Sequence, residues 1–422
     1  MAFSFARRNL YNRNLHQLHG SNRRGSYFAA PREAINARSY LNRFVVGVVT
    51  ISFFLIALTG CGSNGSTSSS NGNTSVTPGV GNQAILYVVA PGTPAVGFFN
   101  IAQGGILLIN SNNYSTGANP QALVTDSRHR YVYVLNNPGA GLAGGVLQYE
   151  IASGNGSLQV IQATNNPSNI QQPVLPAPTG NVPLAMAIDP NNQFVFVANS
   201  ASNSISVFSV GTTYGDLNAV PSSPTAVGNM PVSLVVKGNY LFVANKGDQT
   251  VSVYSFDSTG KLTILGTPVT VGANTTSIAS DGHYVYVADG TANTVSVLSF
   301  SAGSGLAATN TSVPVGTNPV NVYITPGNKY LYVANMGSNN VSGFTLNGSG
   351  GLSEISGSPF GSGQAPDFIT SNSAANDLFV ANAGNGTVSS FTVKGNGALD
   401  PIIGSPYQTL GYSAPNGLLS LQ

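Results

Sequence analysis

The sequence predicts an all-β fold, a seven-bladed β-propeller of four-stranded antiparallel blades whose ring is closed by the C-terminal strand. Three observations predict it: a hairpin motif occurs seven times, the motifs begin 46, 63, 46, 44, 46 and 47 residues apart, and one further strand motif stands at the C-terminus. Repeats of this length that contain four strands are typical of propeller blades. The motifs begin at Ile85, Tyr131, Phe194, Tyr240, Tyr284, Tyr330 and Asp377.

Each repeat contains four short strand patterns. In the repeat around Tyr240 we predict strands at 233–236, 240–244, 251–256 and 262–265. Apolar and polar residues alternate within these segments, and Gly/Asn-rich turns separate them, which is the pattern of β-hairpins. The third and fourth strands are joined by Asp257-Ser258-Thr259-Gly260, a turn sequence.

The ends of the repeat region predict how the ring closes. The first strand of most repeats follows a glycine and a proline, as at Pro120, Pro183 and Pro319. No such strand precedes Ile85, whereas an additional copy occupies residues 414–420. We therefore expect the C-terminal strand to complete the first blade, so that no blade is left with an open inner edge.

Charge is distributed unevenly along the chain. Eight of the 15 Lys and Arg residues lie in the first 43 positions, where Glu33 is the one acid. The remaining chain carries 7 basic and 12 acidic residues, a net charge of −5, which argues against nucleic-acid binding. With one Cys in the chain, a disulfide framework and a thiolate metal cluster are excluded.

The first 60 residues predict a signal segment, a basic extension followed by an apolar run at 44–58 that has the length of a signal-peptide core. The run ends in Leu58-Thr59-Gly60-Cys61, which resembles the lipobox of bacterial lipoproteins and implies lipidation of Cys61. The alternative is a plain signal anchor, or a cleaved signal with an incidental cysteine.

Residues 61–82 then read as the lipidated cysteine and a flexible Gly/Ser/Asn tether, and 83–422 as the propeller. We expect an exported chain, lipid-anchored to the bacterial membrane and facing the periplasm or the cell surface, with the outer membrane favoured.

Candidate ligand-binding residues stand where the second strand of each blade ends, on the face around the channel mouth. These rim residues could bind a ligand or a cation, or each could start a turn by hydrogen-bonding to its own backbone. They are Asn136, Asn199, Asn245, Asp289, Asn335 and Asn382.

The second blade has two longer connections, at 136–145 and 165–179. Because the first is rich in Gly and the second in Pro, we expect mobile loops rather than extra strands, both on the channel-mouth face. They are either tolerated insertions or a lid or partner-contact site in which Gln171 and Gln172 make adaptable polar contacts.

The catalytic residues cannot be assigned from the sequence. Asp367 is the one candidate, because it stands at the start of an inner strand and could face the channel. Without a recognisable partner we expect it not to act as an acid or base. His129 and His283 both fall in turns before second strands, and we predict neither a metal nor a cofactor.

The hairpin motif Tyr-x-Tyr-Val-Ala-Asn, which recurs through residues 85–422, resembles the seven-bladed propellers of the lactonase family and the related surface proteins named for Tyr-Val-Thr-Asn repeats. This resemblance implies a lactone hydrolase such as 6-phosphogluconolactonase. The cytoplasmic phosphosugar role of such an enzyme would not suit an exported lipoprotein.

From these observations we expect an extracytoplasmic, lipid-anchored propeller that acts as a binding or scaffold module at the cell envelope. A lactonase-type hydrolase is the alternative, and a surface-layer or adhesive component is a second one. The expected partners are the membrane, through Cys61, and a small-molecule, glycan or protein ligand at the channel mouth, with no nucleic acid and a monomeric state. Two titratable side chains within hydrogen-bond reach at the channel mouth would favour the hydrolase.

Overall fold

The computed structural model describes residues 84–137, 139, 143–163, 172–173, 175–409 and 411–421. Seven small antiparallel sheets form a ring, which confirms the predicted seven-bladed propeller. The predicted signal segment, Cys61 and the tether lie outside the described residues. In the part of the chain that the structure describes, no helix is long and apolar enough to cross a membrane.

Blades and strands are numbered in chain order. Blades 1 and 2 contain β1 (Ala84–Ala90), β2 (Thr93–Ile101), a 3-10 turn (Gln103–Gly105), β3 (Leu107–Ser115), β4 (Pro120–Thr125), β5 (Tyr131–Asn136), β6 (Ala143–Ile151), β7 (Leu158–Val160), β8 (Gln162–Ala163), β9 (Gln172–Pro173) and β10 (Ala177–Asn181). Blades 3 and 4 contain β11 (Pro183–Ile188), β12 (Phe194–Asn199), β13 (Ser204–Val210), β14 (Leu217–Ala219), β15 (Thr225–Ala226), β16 (Pro231–Lys237), β17 (Tyr240–Asn245), β18 (Thr250–Phe256), β19 (Leu262–Ile264) and β20 (Val269–Thr270).

Blades 5 to 7 follow the same plan. Their strands are β21 (Thr275–Ser280), β22 (Tyr284–Asp289), β23 (Thr294–Ser301), β24 (Gly305–Pro314), β25 (Pro319–Ile324), β26 (Tyr330–Asn335), β27 (Asn340–Leu346), β28 (Leu352–Glu354), β29 (Phe360–Gly361), β30 (Pro366–Ser371), β31 (Asp377–Asn382), β32 (Thr387–Val393), β33 (Leu399–Pro401) and β34 (Tyr407–Gln408). The last strand, β35 (Gly417–Leu421), belongs to blade 1.

The predicted closure of the ring is confirmed. The strand order in blade 1 is β3-β2-β1-β35, with Ile85 opposite Leu421 and Val89 opposite Gly417. The inner strands lie side by side in the order β4, β11, β16, β21, β25, β30 and β35, and β35 in turn contacts β4. The two ends of the propeller therefore share one sheet, which leaves no free inner edge in blade 1.

The second strand of each blade is the most deeply buried. All six residues of β5, β12 and β26 are buried, because each strand has a neighbour on both edges and an adjacent blade against each face. A strand that is covered on both faces needs apolar residues on both. This requirement explains why their sequences, such as YVYVLN and FVFVAN, are nearly continuous apolar runs.

Tyrosine hydroxyls of the repeated motif connect neighbouring blades. The hydroxyls of Tyr133 and Tyr332 donate hydrogen bonds of 2.7 Å to the backbone carbonyls of Gly215 and Gly397 in the next blade. Both glycines have a positive φ, 71° and 85°, and a Cβ on Gly397 would lie 2.6 Å from the ring of Tyr330. Glycine therefore permits both the turn and the close approach of the adjacent blade.

The second long connection of blade 2, predicted at 165–179, does not lie where the sequence predicted it. In blade 3 the outermost strand is broken into β14 and β15, which both pair with β13. In blade 2 the equivalent pieces are β7 and β10, which both pair with β6. The chain between them, which includes the paired strands β8 and β9, therefore leaves the blade at its outer edge. It contains short extra strands and does not extend a channel-mouth loop.

Candidate functional site

A central cavity of about 360 Å³ lies between the inner strands. Six inner strands contribute to its wall, together with Asn416, which directly precedes β35. The lining residues are Gln121, Ala122, Leu123, Leu184, Ala185, Met186, Val232, Ser233, Leu234, Thr276, Ser277, Ile278, Val320, Asn321, Val322, Tyr323, Asp367, Phe368, Ile369 and Asn416.

One level of this cavity is polar on one side and mostly apolar on the other. The level is formed by the residue that follows the proline, or its replacement, at the start of each inner strand. Its polar residues Asp367, Asn416 and Gln121 come from three neighbouring strands and are called the polar arc here. The remaining positions of the same level are Leu184, Val232, Thr276 and Val320.

Asp367 has the electrostatic properties of a proton acceptor in an enzyme site. Its side chain is only partly exposed, and it has no hydrogen-bond or ion-pair partner among the described residues. Loss of hydration in the cavity raises the pKa of Asp367 to about 6, because burial disfavours the charged form. The carboxylate is therefore a stronger base than an exposed aspartate and is ionised above about pH 6.

The two amides of the polar arc have unused hydrogen-bonding capacity. The side-chain oxygen of Asn416, an acceptor, is buried, and neither it nor the side-chain nitrogen has a hydrogen-bond partner among the described residues. The side-chain nitrogen of Gln121 makes one long hydrogen bond, 3.4 Å to the carbonyl of Asn119. Because each amide carries two N–H donors, the arc can offer donors to a bound oxygen beside the Asp367 carboxylate.

Further along the inner strands, polar side chains of the cavity wall make hydrogen bonds that connect neighbouring strands. Ser233, Ser277 and Asn321 each accept a hydrogen bond of 3.1 Å from a backbone N–H of the following inner strand. The hydroxyl of Tyr323, whose pKa is raised by burial, is 2.8 Å from the hydroxyl of Ser371. Among the described lining residues, Asp367 and Tyr323 are the titratable ones, and Tyr323 is engaged with Ser371.

Most of the predicted rim residues are buried within their own hairpins. Asn199, Asn245, Asn335 and Asn382 are completely buried, and none lines the central cavity. In Asn335 the side-chain nitrogen donates to Asn340 Oδ1 and Ser342 Oγ at 2.9 Å. The equivalent nitrogens donate to Ser204 and Ser206, to Thr250 and Ser252, and to Thr387 and Ser389. These amides stabilise the hairpins, and a ligand-binding role for them stays a prediction.

The two remaining rim residues differ from this pattern. The Asp289 carboxylate accepts hydrogen bonds of 2.8 Å from the backbone N–H groups of Thr291 and Ala292, which is the turn-starting role considered as the alternative. Neither side-chain polar atom of Asn136 has a partner among the residues that the structure describes, although Asn136 is only 6 % exposed. Asn136 is therefore the rim residue with free hydrogen-bonding groups on both sides of its amide.

The other residues that the sequence analysis singled out lie in separate strands and turns. Gln172 lies in β9, opposite Ala163, and Gln171 lies outside the described residues. His129 and His283 lie in turns before β5 and β22, as expected. Among the described residues, no three His, Cys, Asp or Glu side chains are grouped as a metal site would require.

Sequence analysis missed Asn416 and Gln121. Both occupy the position of Asp367 when the segments 119–125, 365–371 and 414–420 are aligned on their prolines. The sequence predicted the closing strand and therefore the position of Asn416 at its start. It did not predict which residues neighbour Asn416 around the ring, because that depends on which blades are adjacent.

Solved structures with the same architecture come from several bacteria. The chain is similar to a provisionally assigned 6-phosphogluconolactonase from Bacteroides fragilis (18 % identity, TM-score 0.64, 82 % of this chain and 100 % of that chain). It is also similar to one from Bacteroides uniformis (16 %, 0.67, 81 % and 100 %) and to the periplasmic gluconolactonase PpgL from Pseudomonas aeruginosa (17 %, 0.63, 80 % and 99 %). At these identities the similarity shows the fold alone.

The family comparison is more specific. Comparison with curated proteins finds no match. The profile described as "Lactonase, 7-bladed beta-propeller" matches residues 81–277 and 273–362, which is more than half of the chain. This match corrects our expectation of a binding or scaffold module, because it favours the alternative of a lactonase-type protein. The chain belongs to the lactonase family of seven-bladed β-propellers.

Proposed function

We propose that the chain is an exported lactone hydrolase whose reaction takes place at the polar arc of the central cavity. The observation that carries the proposal is the desolvated, unpaired carboxyl of Asp367 beside two amides with free hydrogen-bonding groups, in a propeller of the lactonase family. A carboxyl with a raised pKa in a concave site is a candidate for acid–base chemistry.

In this proposal Asp367 supplies the proton acceptor, a role that we did not expect for it from the sequence. The carboxylate takes a proton from a water molecule as the water oxygen attacks the lactone carbonyl carbon. The tetrahedral intermediate then collapses with cleavage of the bond to the ring oxygen, and Asp367 returns the proton to that leaving oxygen. The products are the open-chain hydroxy acid and the enzyme in its starting protonation state.

Asn416 and Gln121 supply hydrogen-bond donors. Their side-chain amides can donate to the carbonyl oxygen, which becomes negatively charged in the intermediate. The apolar residues across the same level, Leu184, Val232 and Val320, exclude water from that side. This increases the strength of each polar contact with the substrate.

The lining chemistry favours an uncharged lactone. None of the described lining residues is Lys, Arg or His, so the cavity has no cation to bind a phosphate. We therefore propose a neutral sugar lactone as the substrate class, in preference to a phosphorylated one. Export is supported by the apolar run and lipobox of the N-terminal sequence and by the fold shared with a periplasmic gluconolactonase.

The test is hydrolysis of D-glucono-1,5-lactone by the purified full chain, measured as acid release below pH 7, where spontaneous opening is slow. We expect hydrolysis above the spontaneous rate, and we expect Asp367→Asn to lower kcat by about 100-fold, in the range of lost general-base catalysis. Asp257→Asn is the matched control, since Asp257 is a fully exposed turn residue between β18 and β19. A rate equal to the spontaneous one, or full activity in Asp367→Asn, would contradict the proposal.

A further inference from the structure

Blade 2 lacks the two side-chain acceptors that bind the side-chain nitrogen of the rim asparagine in blades 3, 4, 6 and 7. In blades 3, 4, 6 and 7, the residue opposite the rim asparagine and the residue two positions later accept hydrogen bonds from its side-chain nitrogen. In blade 2 these two positions are Gly145, opposite Asn136, and Leu147, opposite Val134. Since neither residue offers a side-chain acceptor, the side-chain nitrogen of Asn136 has no partner among the described residues.

Asn136 also lines an open groove. The groove has a volume of about 360 Å³ and is separate from the central cavity, with which it shares no lining residue. Beside Asn136 it is lined by the hydroxyl residues Ser115 and Thr116, and by Leu147 and Pro176 on the apolar side. None of the described residues that line the groove is charged.

An unsatisfied buried amide is unfavourable. A buried donor without a partner has lost its hydrogen bonds to water and has gained none in exchange, and such groups are rare in folded proteins. Gly145 also places no side chain opposite the amide. Both features occur at the same place, which is the arrangement expected when a ligand supplies the missing partners.

The geometry points to a binding site for a neutral saccharide at Asn136. An amide presents an N–H donor and a C=O acceptor side by side, and two adjacent sugar hydroxyls can accept from the first and donate to the second. The C–H face of the sugar ring fits the apolar side at Leu147 and Pro176, and the hydroxyls of Ser115 and Thr116 can bind further sugar oxygens. The absence of charged groups from the lining selects a neutral sugar.

The experiment measures binding of methyl α-D-glucopyranoside, methyl α-D-mannopyranoside and methyl β-D-galactopyranoside to the full chain by saturation-transfer difference NMR. None of these probes is a lactone, so binding is scored independently of hydrolysis in the central cavity. We expect at least one probe to bind at millimolar concentration and Asn136→Leu to weaken it by about tenfold or more.

Leu147→Ser is the second variant. It introduces the hydroxyl found at Ser206, Ser252, Ser342 and Ser389 in the other blades, which can accept from Asn136 and compete with the sugar. We expect it also to weaken binding by about tenfold. Asn218→Leu is the control, because Asn218 is an exposed asparagine of β14 in blade 3 that does not line the groove, and it should leave the dissociation constant unchanged.

Two results would overturn the proposal. One is the absence of saturation transfer from all three glycosides to the folded chain. The other is binding that remains within about twofold of the unaltered chain in both Asn136→Leu and Leu147→Ser.

Discussion

Replacing Asp367 by Asn should make the stability of the propeller less sensitive to pH. Burial raises the pKa of Asp367 from its ordinary value of 3.8 to about 6 in the folded chain. The folded state therefore holds this proton more tightly than the unfolded state does. The resulting stabilisation is fully present below about pH 3.8 and is lost as the pH rises through about 6.

The magnitude follows from the difference between the two pKa values. One pKa unit corresponds to about 1.4 kcal/mol. A rise of the Asp367 pKa from 3.8 to about 6 therefore corresponds to about 3 kcal/mol in the free energy of unfolding. The stability of Asp367→Asn relative to the unaltered chain should thus increase by up to about 3 kcal/mol between pH 3 and pH 8, with about half of the increase reached at pH 5. Because the side chain of Asp367 is partly exposed, solvent screening reduces this effect and about 3 kcal/mol is the upper value.

The assay is urea unfolding of both proteins at pH 3, 5 and 8, followed by far-ultraviolet circular dichroism because the chain contains no tryptophan. Only the difference between the proteins is used, since the other carboxyl groups titrate equally in both. Asp257→Asn is a control of opposite sign: hydrogen bonds from Thr259 lower the pKa of Asp257, so this variant should lose relative stability as the pH rises. A difference for Asp367→Asn that stays constant from pH 3 to pH 8 would refute the reasoning.

Three further predictions concern the fold and the anchor. Tyr332→Phe should cost about 1–2 kcal/mol in urea unfolding, because it leaves the buried carbonyl of Gly397 without its hydrogen bond; an unchanged midpoint would contradict this role. Deleting residues 417–422 removes β35 with its buried Leu418 and Leu421. Because each buried leucine contributes about 1.5–3 kcal/mol, the deletion should lower the melting temperature clearly. An unchanged melting temperature would show that the closure is not needed for stability. Cys61→Ser should abolish fatty-acid labelling and release the chain in soluble form; equal labelling in both proteins would exclude lipidation at this residue.

The architecture of the propeller could be predicted from the sequence because its determinants are local. The hairpin motif, its turn residues and its period of about 46 residues each appear within one blade. The closing strand was also predictable, since the segment at 414–420 is a copy of an inner strand without the rest of a blade. The position of Asp367 at the start of an inner strand likewise followed from the repeat alone.

The candidate site depended on contacts between blades, which the periodicity does not specify. The sequence shows six similar rim residues, yet the structure buries four asparagines against side-chain acceptors of their own hairpins, whereas Asn136 faces Gly145 and Leu147. Whether an amide is paired depends on the residues opposite it, and these become apparent only when the register of the strands is known.

The composition of the polar arc and the position of the blade 2 insertion also depend on contacts that only the tertiary structure shows. Asp367, Asn416 and Gln121 are distant along the chain and become neighbours only because β35 stands between β30 and β4 when the ring closes. The insertion was expected at the channel mouth, but β7 and β10 both pair with β6, which places the chain between them at the outer edge. The sequence alone determined the number of blades and their internal pattern, because these depend on short-range alternation and turns. Ring closure and strand pairing decided which side chains share a cavity, because those contacts join residues that are remote in sequence.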